Sequence, residues 1–371
     1  MKIAIDARMY GNEECTGIGT YIKNLTDNLF QIDSENEYIL FLREPAFSWF
    51  TPPNERVKKV KVTPRWYTYS EQFILPLQFL KEKFDLIHYP HFNSPILFPG
   101  KSICTIHDLT PLSFPGHKMN SMIRRLGYRA VFIATVRKAA KIIAVSESTK
   151  HEVIEHFKVN PEKTVVTHEG VDERFKIFEN RDIISQVKNK FKIDQPFIFY
   201  VGVWRDHKNI TGLVEAFNLL KRKRSLPHQL VLGGREDLHD TKVREMINNS
   251  PFKNDIITTG YISDEELPLL YNSAAVFVLP SFIEGFGLIA IEAQSCGCPV
   301  VSTSTSSLPE ILGDSALFFD PHNNEKIAEQ IHSVLSNNTI KQELIKKGLE
   351  NVKRFSWKKC AEQTLAIYRS I

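Results

Sequence analysis

The chain has no Asp-x-Asp pair, no G-x-G-x-x-G fingerprint, no long apolar run and no cysteine framework. Each absence removes a class. Without Asp-x-Asp, a carboxylate pair holding a divalent ion on a diphosphate has no obvious source. Gly17-Ile-Gly19 begins like a dinucleotide loop, but position 22 is Ile, which disfavours a nicotinamide enzyme. No apolar stretch reaches the ~20 residues that span a bilayer. The opening MKIAIDARMYG lacks the apolar core and small-residue cleavage site of a secretory leader. The five cysteines (Cys15, Cys104, Cys296, Cys298, Cys360) are odd in number and scattered. They argue against disulfides and for a reducing compartment. Cys296-Gly-Cys298 has no second ligand pair nearby, so no zinc site is expected there.

What is present is ordinary in amount and uneven in placement. Hydrophobic residues make 42% and charged residues 24% of 371, the composition of a globular protein long enough for two domains. Net charge is +4. Residues 1–190 hold 27 Lys+Arg against 22 Asp+Glu, a net of +5; the remainder holds 20 against 21, a net of −1. Residues 115–142 carry seven bases (Lys118, Arg124, Arg125, Arg129, Arg137, Lys138, Lys141) and no acid. This run fits either a solvated helix face or an anionic partner, a phosphate-bearing substrate or a membrane surface. No nucleic-acid motif accompanies it, so nucleic acid is not expected as a partner.

Short apolar runs alternate with helical periodicity. Lys2–Asp6, Glu37–Leu42, Lys59–Thr63, Asp85–Tyr89, Ser102–His107, Ile142–Ser146 and Thr164–His168 read as strands. Helices are expected at Tyr21–Ile32, at Glu71–Lys83, between the fifth and sixth strands, and after the capping Ser146. A second series opens at Phe197–Val203. It continues with a helix from Asn209, strands Gln229–Leu232 and Asp255–Gly260, a helix capped by Asp264, and the strand Ala275–Pro280. Such alternation implies parallel sheets with crossover helices, here two doubly wound α/β domains. The polar stretch Asp172–Gln195 reads as their linker. The domains are expected at 1–172 and 195–354, with a closing amphipathic helix at 355–371.

Doubly wound domains bind ligands beyond the carboxyl ends of their strands. Four stretches stand at such ends. Glu284-Gly-Phe-Gly287 follows a strand and opens a helix, whose free N–H groups suit a phosphate. Glu292, just over a turn into that helix, suits vicinal hydroxyls such as those of a ribose, and Glu284 suits sugar hydroxyls. Arg205 and Lys208 precede the next helix start and can neutralise a diphosphate. Gly17 and Gly19 allow close approach of backbone to ligand. His107-Asp108 ends a strand, and His107 is a candidate for gripping a transferred group. Taken alone, each also fits a plain surface: two solvent-facing acids, two solvated bases, a structural histidine.

Together these residues resemble a known family. EGFGLIAIEAQSCGCPVVS, GVWRDHKN, GIGTY, HDLTP, VSESTKHEV and FSWKKCAEQTLAIY are similar to the retaining glycosyltransferases of family 4, over nearly the whole chain. The resemblance implies a GT-B architecture: two Rossmann-like domains facing a cleft, with the final helix crossing back to the N-terminal domain. It implies a nucleotide-diphosphate sugar donor and no metal. By position, Arg205 and Lys208 would bind the diphosphate, Glu292 the ribose, and Glu284 with Gly285, Phe286, Gly287 and Leu288 the donor sugar and phosphate. His107 would contact the sugar, and Gly17 and Gly19 would approach the diphosphate. Tyr261 and Ile262 would flank the base, and Gly202 would join the donor-binding set. Glu169 stands where members commonly carry Asn, which puts any polar contact from that position in doubt.

GIGTY and HDLTP resemble mannosyltransferases of bacterial surface-polysaccharide assembly. The resemblance implies transfer of mannose from GDP-mannose, with UDP-glucose and UDP-N-acetylglucosamine open as donors. A saccharide or lipid-linked saccharide is the expected acceptor. A cytoplasmic location is expected, with peripheral contact at the inner face of the membrane through the basic run 115–142. A GT-B sugar epimerase, a phosphorylase and a catalytically silent binding protein are the alternatives.

Overall fold

The computed structural model of the protein describes residues 1–11, 17–114, 122–236 and 241–371. Cys15, Lys118 and the side chain of Arg124 lie outside the described residues. The chain divides into two units, one of residues 1–170 and 356–371, the other of residues 171–355.

The first unit carries β1 (Lys2–Asp6), β2 (Glu37–Leu42), β3 (Val57–Lys61), β4 (Leu86–Tyr89), β5 (Ser102–Ile106), β6 (Lys141–Ala144) and β7 (Thr164–Val166). They form one parallel sheet in the order β3-β2-β1-β4-β5-β6-β7. The second unit carries β8 (Phe197–Val201), β9 (Gln229–Gly233), β10 (Ile256–Gly260), β11 (Val276–Leu279), β12 (Val300–Thr303) and β13 (Ala316–Phe319). Its parallel order is β10-β9-β8-β11-β12-β13. Each sheet therefore winds outward from a central pair, β1/β4 and β8/β11, where the strand order reverses.

The strands explain themselves by burial. β5 and β8 are buried at every position, as helices on both faces of a parallel sheet require. The helices match their stripes. Gly17–Ile32 buries Tyr21, Ile22, Leu25, Thr26, Leu29 and Phe30, the spacing of one helical face. It starts a turn earlier than the apolar stripe suggested, because its first turn buries little. Ser146 caps Glu147–Phe157, its Oγ accepting from Thr149 N at 3.1 Å.

Two local readings change. Asp264 does not cap the helix Glu266–Ser273; it pairs with Arg174 at 2.5 Å. Ser263 takes the capping place: its Oγ accepts from Glu266 N while the Glu266 carboxylate accepts from Ser263 N. The stretch read as a linker contains the helix Arg181–Lys190, capped by Asn180, and belongs to the second unit. Its polarity reflects an exposed helix face rather than a tether; Val187 is its buried residue.

The closing helix, Trp357–Arg369, packs with the first unit, against the helix Gly17–Ile32. Gly170 makes this possible, since a Cβ there would collide with the Trp357 backbone. Tyr368 Oη bonds His88 Nδ1 at 2.7 Å, and His88 Nε2 bonds Thr105 Oγ1 at 2.8 Å. The returning helix is thus tied by buried polar bonds to β4 and β5.

Candidate active site

In the second unit, two loops meet at the strand-order switch. The chain leaves β8 through Gly202 and reaches a short turn, Asp206–Lys208; the helix Ile210–Arg224 follows. The chain leaves β11 and reaches the helix Leu288–Ser295 through Glu284–Gly287. Because β8 and β11 are neighbours, these loops are neighbours too. They are stitched together. Phe282 N donates to the His207 carbonyl at 2.8 Å. Buried Asn209 donates to the carbonyls of Pro280 and Pro321 at 3.2 and 2.8 Å. His207 is held neutral, pushed down to about 4 by burial and by the adjacent Lys208.

Lys208 Nζ lies 2.7 Å from Glu284 Oε1, and Ser281 Oγ donates to the same oxygen at 2.7 Å. Glu284 Oε2 takes no hydrogen bond from the described residues, so it remains an acceptor for a ligand. Ser307 Oγ donates to the Glu284 carbonyl at 2.9 Å and fixes the backbone of the turn. Gly287 has φ +89, and a Cβ there would press on Leu308. Only glycine enters the helix comfortably by this route. Beyond it, the first N–H groups of Leu288–Ser295 have no partner within the helix. Arg205, at the other loop, is exposed. An anion at this switch would meet a lysine, an arginine and a helix N-terminus.

Glu292 is set apart from Glu284. Its Oε2 accepts from Tyr271 Oη at 3.4 Å. Burial pushes its carboxyl up to about 7, against the pull of Arg174 and Tyr271, and the nearby acids Asp172 and Asp264 push it further. Arg174 is engaged by Asp264 and lies 5.0 Å over the Phe175 ring.

Along the same edge, β9 and β10 contribute a second cluster. Gly234 N donates to the Gly260 carbonyl at 2.8 Å, and Trp204 Nε1 donates to the Gly233 carbonyl at 3.3 Å. Tyr261 is exposed, with the Arg235 guanidinium 5.6 Å over its ring. Ile262 is buried and packs over Gly233. Gly202, Tyr261 and Ile262 thus gather at the ends of β8, β9 and β10.

Gly17, Gly19 and His107 belong to the first unit. Gly19 is sterically needed, since a Cβ would approach the Met9 carbonyl to 2.8 Å, whereas Gly17 has open space. His107 Nδ1 lies 3.0 Å from Glu169 Oε1, and Nε2 lies 2.9 Å from the Pro90 carbonyl. At the β1/β4 switch, Asp6, Arg8, Glu71 and Asn93 form a buried cluster. Arg8 reaches Asp6 at 2.7 Å and Glu71 at 2.6 Å, and Asn93 also bonds Glu71.

The sequence reading missed several of these. Ser281 and Ser307 hold Glu284, Arg174 and Tyr271 surround Glu292, and Glu169 holds His107. Only the Gly233-Gly234 pair carried a local signal, as a turn at a strand end. The described cysteines are buried thiols, with Cys104, Cys298 and Cys360 pushed up to about 12 by burial. Among the described residues no cluster of three or more His, Cys, Asp or Glu side chains is arranged to hold a metal.

Residues 16–175 match the model of Glycosyltransferase Family 4, and residues 182–351 match that of Glycosyl transferases group 1. The chain is 30% identical to the O-antigen chain mannosyltransferase B of Escherichia coli, over 76% of this chain and 74% of that protein. It is 29% identical to a serotype-specific mannosyltransferase, WbdA, of the same organism, over 70% of this chain but only 32% of that longer protein. Among solved structures, sucrose-phosphate synthase of Thermosynechococcus elongatus superposes with a TM-score of 0.79 at 22% identity, covering 100% of this chain and 98% of the other. The Anabaena protein HepE, solved with UDP and glucose, superposes at 0.77 with 16% identity, covering 100% of both.

Proposed function

Since the chain belongs to glycosyltransferase family 4 and has the GT-B fold, we propose that it transfers mannose from GDP-mannose, with retention, to a saccharide or lipid-linked saccharide in surface-polysaccharide assembly. One observation carries the donor assignment. Lys208 is bonded to Glu284 at the β8/β11 switch, where such sheets take their ligands, with Arg205 on the loop of Lys208 and the helix start at Gly287 just after Glu284. The choice of mannose is supported by the relatives named mannosyltransferases.

In this reading the diphosphate lies against Arg205, Lys208 and the N–H groups that open Leu288–Ser295. These groups stabilise its charge as the anomeric C–O bond loosens, and no metal is called upon. Glu284 Oε2 accepts from a donor-sugar hydroxyl, and Glu292 accepts from the ribose hydroxyls. Tyr261 and Ile262 flank the base, with Gly202 giving room beside them. His107 is assigned to the transferred sugar.

Acceptor delivery motivates a peripheral membrane contact. On the helix Tyr69–Phe79 and just past it, Tyr69, Phe73, Leu77 and Leu80 are all more than half exposed and recur at helical spacing. Exposed Arg125, Arg129, Arg137 and Lys138 belong to the same unit. An apolar stripe in a unit rich in bases suits an anionic lipid surface at the inner face of the membrane. No described helix is long and apolar enough to cross a membrane. Failure of anionic vesicles to retain the protein at low salt removes this part.

The deciding experiment is a thermal-shift series with GDP, UDP, ADP and their sugar conjugates, with and without EDTA, followed by anomer analysis of the product. A ligand that binds the folded state raises the midpoint by mass action. A GDP preference that survives EDTA, and an α-linked product from the α-linked donor, support the proposal. A UDP preference replaces the donor within the same class. No shift with any nucleotide removes the donor site.

A further inference from the structure

His107 follows β5 and Glu169 follows β7, and their side chains are bonded across the end of the sheet at 3.0 Å. The other ring nitrogen of His107 faces the Pro90 carbonyl at 2.9 Å. A carbonyl has no proton to give, so Nε2 carries the hydrogen. A carboxylate likewise accepts. A neutral imidazole has one N–H and cannot serve two acceptors; an imidazolium has two.

The surroundings hold this arrangement in place. His107 and Glu169 side chains are 13% and 4% exposed. The Tyr21 ring stands edge-on to His107 at 4.7 Å. Thr149 Oγ1 donates to the His107 carbonyl at 3.2 Å. Gly170, next to Glu169, is packed against the start of the returning helix.

The charged neighbours agree. Burial works against a charged His107, but the Glu169 bond and charge, the Pro90 carbonyl and Asp108 outweigh it and raise its pKa. From β4, His88 is held neutral by burial, at about 3, and His91 beyond it is also pushed down by burial. Arg8 is engaged by two carboxylates. Cys360, from the returning helix, is a protonated thiol.

We propose that Glu169 is a positioning residue that keeps His107 doubly protonated and fixed in orientation, so that this transferase holds a cationic ring at the end of β5, its two N–H groups engaged by Glu169 and by the Pro90 carbonyl. The proposal rests on the assignment of His107 to the transferred sugar and adds the charge state in which it works.

The test is a pH titration of the His107 ring by NMR on the full chain labelled at histidine, with His107→Gln to assign the signal. In the wild type the imidazolium signal is expected to persist above the ordinary midpoint of about 6.5. In Glu169→Gln the midpoint is expected to drop by at least about one pH unit, tenfold in proton affinity. The alkaline limb of kcat/KM should move with it, and Glu169→Asp should restore it in part. A wild-type midpoint at or below the ordinary value overturns the proposal, as does a midpoint that Glu169→Gln leaves in place. If Glu169→Gln fails to fold, the wild-type titration decides alone. The NMR arm needs no substrate, so failure of the donor assignment and failure of this proposal are separately visible.

Discussion

Lys208 Nζ and Glu284 Oε1 are 2.7 Å apart, 76 positions apart in the chain, and mostly shielded from solvent. The base assigned to the donor's phosphates and the acid assigned to its sugar are therefore partners within the protein. A lysine ammonium has three donors, so it can keep Glu284 and still meet a phosphate oxygen. The pair sets the position of both.

Replacing Lys208 with alanine removes a phosphate contact and also leaves Glu284 unbalanced. Turnover with the nucleotide-sugar donor is expected to fall by at least ~100-fold, the scale of losing one stabilising group at a developing charge. Steady-state kinetics at saturating donor reads this directly. Near-normal turnover would refute the role given to Lys208.

With Glu292 proposed to hold the ribose, donor binding is expected to depend on pH. Its carboxyl is raised to about 7, chiefly by burial, so the ionised form, proposed to accept the ribose hydroxyls, dominates only above that value. Donor affinity is expected to weaken as pH falls through 7, by up to about tenfold per unit. Glu292→Gln should flatten the dependence. The raised value also means that this carboxyl's contribution to stability is full below its unfolded value of about 4.3 and is lost as pH rises through 7. Calorimetric titration of a nucleotide sugar from pH 6 to 8 checks the binding arm; a flat wild-type profile contradicts it.

Gly287→Ala tests the turn. An alanine at φ +89 is strained by roughly 1–2 kcal/mol, and its methyl group meets Leu308. The second unit is expected to unfold at correspondingly lower denaturant, while donor affinity drops because the helix start is displaced. An unchanged midpoint would show that the backbone tolerates the side chain.

Arg8 tests the buried cluster of the first unit. Its guanidinium and the carboxylate of Glu71 are 3% and 1% exposed. Arg8→Met leaves Asp6 and Glu71 buried without their cation, a change that costs about 3–5 kcal/mol in such settings. Acid should partly rescue the variant, because protonating Glu71 relieves the stranded charge. Denaturation at pH 5 and pH 8 compares the two; equal losses at both would argue against a buried-charge origin.

Much is legible in the chain itself, and for local reasons. Alternating strand and helix periods dictate parallel sheets, since a parallel pair needs a crossover. Strand ends followed by Gly-rich helix starts mark Glu284–Gly287 and Arg205–Lys208, because the glycine geometry and the orphan N–H groups are properties of a few adjacent residues. Similarity to glycosyltransferase family 4 was visible in the same short stretches. The Asp264 cap was misread because a neighbouring serine competes for the same place and only the partner, Arg174, decides between them.

What the chain alone could not display is which distant residues share an oxygen. Strand order places β8 beside β11 and so puts Lys208 on Glu284. Glu169 reaches His107 across 62 positions because β7 and β5 end on the same edge and a returning helix closes over Gly170. Local sequence sets backbone preference and the period of burial. Pairing of strands is settled by non-local packing and is not encoded in any window of residues. The protonation states of His107 and Glu292 follow from that packing, because burial and partners, not residue type, determine where a proton rests.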